Sequence, residues 1–134
     1  MFTYQVKIYL RDTDATGVIY FNQQLRLALE AFEAFLSSRG HDLHSILEAG
    51  ENLYPIVHCE ADFSAPIKTG DTLAIYLSAL RIGTSSFTLH TKMTNQHKKE
   101  VGTTTIVHVC TLKKTGASTP IPEALRAILD ELVK

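Results

Sequence analysis

Arg11-Asp-Thr-Asp-Ala-Thr-Gly-Val-Ile-Tyr-Phe-Asn22 divides two runs of opposite periodicity. Before it, Phe2, Tyr4, Val6, Ile8 and Leu10 alternate with Thr3, Gln5 and Lys7, which predicts a half-buried strand. After it, Leu25, Leu29, Phe32, Phe35 and Leu36 recur at three and four, with Ala28, Ala31 and Ala34 between them. That spacing predicts a helix from Asn22 to about Ser38, the most apolar in the chain and buried on most sides. Gly40 is its expected C-terminal stop. An Asp ahead of a helix ordinarily accepts hydrogen bonds from the first-turn N–H groups. Capping accounts for one acid. It leaves unexplained the second acid, Thr13 between them, Gly17, and the apolar Val18-Ile-Tyr-Phe21 that holds the helix off. A loop standing back from a helix N-terminus leaves those N–H groups for a ligand oxygen. The segment is therefore the expected ligand site and candidate reaction centre, with Asp12 and Asp14 as its acids.

Outward from this segment, the chain reads mostly as strand. A short helix, Asp42 to Ala49, stops at Gly50. Leu53 to Phe63 carries Val57, Cys59, Ala61 and Phe63 on one face and His58, Glu60 and Asp62 on the other. Pro66 and Gly70-Asp71 mark a turn. Strands then follow at Thr72–Arg81, Ser86–Asn95 and Glu100–Lys113. Gly116 to Pro122 is a loop, and Ile121-Pro122 opens an amphipathic helix through Leu125, Ile128, Leu129 and Leu132. Hairpin-length links among the later strands make the sheet antiparallel, and one apolar helix laid on it gives an α+β two-layer class.

The bulk numbers narrow the function classes. At 134 residues, 45% apolar and 20% charged, the chain suits one domain spanning 1–134. A formal net charge of −1 gives no support for nucleic acid or an anionic membrane as partner. No apolar run reaches the roughly 20 residues of a membrane span. Met1-Phe-Thr-Tyr-Gln5 lacks the pattern of a secretory signal. Cys59 and Cys110 both fall in strands and are expected to be buried free thiols of a reducing cytoplasm. There is no CxxC, HExxH or GxGxxG, so neither a metal nor a dinucleotide cofactor is expected.

Asp12-Thr-Asp-Ala-Thr-Gly-Val-Ile-Tyr-Phe21 resembles the signature of the 4-hydroxybenzoyl-CoA thioesterases, members of the hotdog-fold thioesterases. Pro55-Ile-Val-His-Cys-Glu-Ala-Asp-Phe63 resembles their second strand, and Pro66-x-x-x-Gly70-Asp71 the turn after it. Within the family, Tyr20-Phe-Asn-Gln23, Glu30-Ala31 and the Pro-x-Val-His strand look most like the 1,4-dihydroxy-2-naphthoyl-CoA hydrolases of quinone biosynthesis. The resemblance implies a curved five-stranded antiparallel sheet wrapped around one long helix. It also implies a homodimer or homotetramer, with acyl-CoA bound at the dimer interface and no cofactor beyond the coenzyme A of the substrate.

It further implies roles. Asp14 is the nucleophile or general base, where the alternative is a helix cap. Asp12 organises the loop through an Asx-type turn. Gly17 supplies a backbone conformation closed to other residues, or allows close approach to the thioester. The Phe21 N–H, beside Tyr20, donates to the thioester oxygen; relatives that carry His at this position can use it, and this chain has Phe. His58 matches a His of the naphthoyl-CoA type and can bond a ring hydroxyl, against the reading of a satisfied histidine beside Glu60. Glu30 matches a Glu of that type, with solvent exposure as the alternative. Ser85, Ser86 and Phe87 match the segment that touches pantetheine or phosphate. Arg81, Lys92, Lys98, Lys99, Lys113 and Lys114 are candidates for the CoA phosphates. His41, His44, His90, His97 and His108 read as structural or surface residues. The competing functions are a broad short- or medium-chain acyl-CoA thioesterase of this fold and a non-catalytic acyl-CoA-binding module.

Overall fold

A computed structural model describes residues 1–133 of the protein. The alternating run forms β1 (Phe2–Lys7), and the long amphipathic run forms α1 (Gln23–Ser38). Between them Leu10–Asp12 makes a 3-10 turn. α2 (Leu43–Ala49) is followed by β2 (Asn52–Leu53), β3 (Ile56–Phe63), β4 (Thr72–Ile82), β5 (Ser86–Thr94) and β6 (Glu100–Val109). β7 (Thr111–Leu112) and α3 (Glu123–Asp130) close the chain. The expected Leu53–Phe63 strand is broken at Tyr54-Pro55. Proline has no N–H for the ladder, and the Pro55 carbonyl instead accepts the Val109 N–H at 3.0 Å. β2 pairs with β7 in a separate two-stranded ladder.

The main sheet has the order β1-β4-β5-β6-β3, antiparallel throughout. Its register sorts the side chains by face, because directly paired residues share one. Leu77, Thr91, Thr104 and Ala61 lie in one row, and Ala79, Leu89, Ile106 and Cys59 in the next. This inner face receives α1 through Leu27, Ala28, Ala31, Phe32, Phe35 and Leu36, all buried. The opposite side of α1 carries Arg26, Glu33 and Ser37, which are exposed. Burial of this helix is thus confined to a sheet-facing stripe, a correction to the expectation of burial on most sides. Its C-terminus closes as expected, with Gly40 at φ +76°. The Gly40 and His41 amides bond the Ser37 and Leu36 carbonyls at 3.0 and 2.9 Å, a Schellman ending.

The core falls into two packed groups. One joins the second half of α1 to α3 and the far ends of β5 and β6, around Phe35, Phe87 and Leu129. The other lies under the acidic loop, around Ile8, Ile19, Leu27 and Ile67. β3 is an edge strand without a single buried residue. Cys59 lies on it and is exposed, whereas Cys110 is buried; both are free thiols. The expected burial of Cys59 fails because nothing in the protomer covers that edge. No described helix is long and apolar enough to cross a membrane.

Candidate active site

Asp14 to Val18 forms a tight loop sewn onto the turn before β4. The Asp14 N–H donates to the Val18 carbonyl at 2.9 Å, and the Gly17 N–H to the Asp14 carbonyl at 3.0 Å. Gly17 turns at φ +77°, in the left-handed region that favours glycine. The Ile19 N–H donates to the Ile67 carbonyl at 2.8 Å, and the Thr69 N–H to the Gly17 carbonyl at 3.2 Å. Buried Ile19 and Ile67 thus anchor a loop whose tip stays in solvent.

The Asp14 carboxylate is held through one oxygen. Its Oδ1 accepts the Thr16 N–H at 2.7 Å and the Thr16 hydroxyl at 2.5 Å. These bonds, the hydroxyl first, hold its carboxyl below the ordinary carboxylate range. It is an anion at neutral pH, and among the described residues no donor meets its Oδ2. The Asx turn expected at Asp12 therefore belongs to Asp14. The helix-capping alternative for Asp14 finds no support, since the N-cap of α1 is Asn22. Ahead of that cap, the Phe21 amide finds no acceptor among the described residues. A helix start with open amides favours an anionic oxygen. Tyr20 and Phe21 are 46% and 76% exposed. Phe21 shares a shallow groove of about 460 Å³ with Val18, Phe63, Ala65 and Pro66.

Asp12 organises the loop, by bonds other than those expected. It is buried, its Oδ2 accepts the Tyr9 N–H at 2.9 Å, and its backbone carbonyl accepts the Tyr20 N–H at 3.2 Å. Its Oδ1 meets Arg26 Nη2 at 3.0 Å. Arg26 also reaches Glu30 at 3.2 Å, and Glu30 accepts the Tyr4 hydroxyl at 2.8 Å. Glu30 is thus half-buried and bonded, not simply solvated. Arg26 escaped the sequence reading, although its i,i+4 spacing to Glu30 on a helix is a legible pairing signal. Gln24 also escaped it. Its fully buried amide donates to the Asp62 and Thr103 carbonyls at 3.0 and 3.1 Å and pins the start of α1 to β3 and β6.

The remaining candidates lie elsewhere on the protomer. His58 pairs with Val107 on the outer face, exposed and 3.9 Å from Glu60. That geometry matches its bland alternative. Ser86 pairs with Val109 and Ile82 pairs with Phe87, so Ser85, Ser86 and Arg81 gather at the far end of β4, β5 and β6. β4 alone runs 11 residues, about 30 Å, from the Asp14 end to theirs. One protomer therefore does not bring them to Asp14. Lys113 Nζ bonds the Leu47 carbonyl, while Lys92, Lys98, Lys99 and Lys114 are exposed.

A second concavity, about 330 Å³, lies at that far end under α2, lined by Leu29, Phe32, Leu43, Ile46, Tyr54 and His108. His108 is buried, the structural of the two readings offered for it. It alternates with Ile106 and Thr104 on the inner face of β6, a signal already present in the sequence. Among the described residues, no three of His, Cys, Asp and Glu group closely enough to hold a metal ion.

Residues 8–129 match the thioesterase-like superfamily. A 1,4-dihydroxy-2-naphthoyl-CoA hydrolase of Synechococcus elongatus is 36% identical over 126 residues, covering 93% of this chain and 92% of the relative. One from Synechocystis is 32% identical over 132 residues, covering 98% and 96%. A crystal structure of a 1,4-dihydroxy-2-naphthoyl-CoA thioesterase from Synechocystis superposes with a TM-score of 0.92 at 32% identity, over 98% of this chain and 96% of that one.

Proposed function

The chain belongs to the thioesterase-like superfamily as a hotdog-fold thioester hydrolase, and we propose that it cleaves an aromatic acyl-CoA, 1,4-dihydroxy-2-naphthoyl-CoA being the favoured substrate. The observation that carries the chemistry is the Asp14 carboxylate, ionised and tethered through one oxygen only, in a loop that ends where the Phe21 amide has no acceptor. Two routes use the same groups. Asp14 attacks the thioester carbon, CoA leaves as the thiolate, and water cleaves the mixed anhydride; or Asp14 takes a proton from a water that attacks directly. In both, negative charge develops on the carbonyl oxygen, where the pre-oriented Phe21 N–H stabilises it. Two relatives named for the naphthoyl substrate, similar over nearly the whole chain, support the choice of acyl group.

The protomer holds the loop groove at the Phe63 end of β3 and the apolar cavity at the Ile56 end. Antiparallel pairing of β3 with a second copy would bring the Ile56 end of one strand toward the Phe63 end of the other. We assign the active site to that dimer seam, where the loop of one chain meets the cavity of the other. Asp14→Asn keeps the loop's shape and removes the anion. It is expected to abolish turnover on a panel of naphthoyl-, benzoyl- and octanoyl-CoA; wild-type turnover in this variant would overturn the role of Asp14. Faster cleavage of octanoyl-CoA than of naphthoyl-CoA by the wild type would favour the broad aliphatic reading instead. Intact mass of enzyme quenched during turnover separates the two routes, since only the first adds the acyl mass.

A further inference from the structure

We infer that Nε2 of His108 accepts a hydrogen bond from a ring hydroxyl of the acyl group and so selects hydroxylated aromatic thioesters over unsubstituted ones. The inference rests on the aromatic, dimer-seam reading above and names the residue that sets its specificity. His108 Nδ1 lies 3.0 Å from the Tyr54 carbonyl oxygen. A carbonyl only accepts, so Nδ1 carries the hydrogen. His108 is 5% exposed, and burial holds its pKa below the ordinary histidine value. At neutral pH the imidazole is therefore neutral, and its second nitrogen is a bare acceptor.

That acceptor has no partner among the described residues. Buried polar atoms without partners are uncommon, and each calls for an explanation. The oxygen Oε1 of Gln24 shares the condition, but Gln24 lies under the start of α1 and is not on the cavity wall. His108 is on that wall. Its ring stacks on Phe87, centroids 5.0 Å apart at 14°, and meets Phe32 at 5.5 Å and 40°. The imidazole is thus clamped, and its free nitrogen has a fixed direction. The cavity's volume, about 330 Å³, lies within the range of small-molecule sites, and its lining is otherwise dominated by leucine, isoleucine and aromatic side chains. A flat apolar body with a donor on its rim satisfies both features. A hydroxylated aryl ring has that form, and an aliphatic acyl chain lacks the donor.

The test compares kcat/KM for 4-hydroxy-2-naphthoyl-CoA and 2-naphthoyl-CoA in the wild type, His108→Phe and His108→Gln. The readout is the ratio of the two esters within each enzyme, so a general loss of activity cancels. The wild type is expected to favour the hydroxylated ester by about tenfold or more, as for a buried acceptor paired against unpaired. Phe keeps the stack and lacks the acceptor, so the ratio falls towards one; Gln restores an acceptor oxygen and part of the ratio. A wild-type ratio near one, or an unchanged ratio in His108→Phe, overturns the inference while naphthoyl esters remain better substrates than octanoyl-CoA. If octanoyl-CoA is cleaved faster than both, the aromatic reading fails and the inference falls with it. A variant-free measurement covers the case of misfolding: the 15N signal of His108 Nε2 should move on adding 4-hydroxy-2-naphthoate and stay on adding 2-naphthoate. An unmoved signal with the hydroxylated acid overturns the assignment.

Discussion

Replacing Arg26 with Met separates two ion pairs that look alike and differ in worth. Its guanidinium meets Asp12 Oδ1 at 3.0 Å and Glu30 Oε1 at 3.2 Å. The Asp12 side chain is 5% exposed, that of Glu30 37% and that of Arg26 42%. A hydrogen bond to a buried charge contributes about 1.5–3 kcal/mol. The exposure of Arg26 lets water compete, so the Asp12 bond is discounted to about 1–2 kcal/mol. The Glu30 pair, with both partners more than one-third exposed, contributes about 0.3–0.5 kcal/mol. Arg26→Met is therefore expected to cost about 2 kcal/mol and Glu30→Gln, which retains an acceptor for Tyr4, about 0.5 kcal/mol or less. Urea denaturation reads both as shifts in midpoint at constant slope. A double-mutant cycle with Asp12→Asn should return a coupling of about 1–2 kcal/mol. Because the Asp12 carbonyl also holds the Tyr20 N–H, kcat/KM should fall more in Arg26→Met than in Glu30→Gln. A cost for Arg26→Met within about 0.5 kcal/mol, the range of an ordinary surface change, would refute the reasoning.

Two further changes probe the loop and the seating of the helix. Thr16→Val removes the hydroxyl that does most to lower the Asp14 pKa. The carboxylate is active above its folded pKa and lost as pH falls through it, so the acid limb of kcat/KM should move to higher pH in Thr16→Val and stay in place in Thr16→Ser. A Cβ at Gly102 would lie 2.5 Å from both the Asp62 carbonyl oxygen and Gln24 Nε2. Gly102→Ala should therefore cost about 1–3 kcal/mol by overpacking, read from a thermal or urea melt, and a neutral result would show that α1 and β3 can separate there.

What was legible in the sequence had a period. The even positions of β1 and the three-and-four spacing of α1 each report one neighbour, the sheet or the helix, and both elements lie where the pattern put them. Gly17 and Gly40 were legible because a positive φ leaves few other choices. Burial set by the sheet order was not legible. Cys59 and Cys110 look alike in sequence, and only β3's place at the edge exposes one of them. Which histidine is buried was not legible for the same reason. His58 lies on a strand that resembles a family motif, yet faces outward, whereas His108 is buried because Phe87 and Phe32 come to it from β5 and α1. The Asp12–Arg26 pair spans a turn and the start of a helix, a distance no local pattern encodes.

The acidic loop that divides the chain carries only half of what the reaction needs. On the proposed reading Asp14 supplies the anion and the Phe21 amide the oxyanion donor, but the groove beside them is shallow and open, lined by Phe21 and Phe63, which are 76% and 54% exposed. The better-enclosed cavity holding His108 lies at the other end of β3, about 20 Å away by strand length. Between them runs an edge strand with none of its eight residues buried, a feature that invites pairing with another strand. Self-pairing about a two-fold axis is isologous, so it reverses the strand and repeats each contact twice. In the proposed dimer that reversal would exchange the ends, turning each exposed groove toward the other copy's cavity and placing the exposed Ile56, Val57 and Phe63 within one seam. In that arrangement the acid proposed to cleave the acyl group and the histidine proposed to recognise its ring would belong to different chains. A folded protomer would then be inactive for want of a neighbour, although it carries both halves of the site at opposite ends of β3.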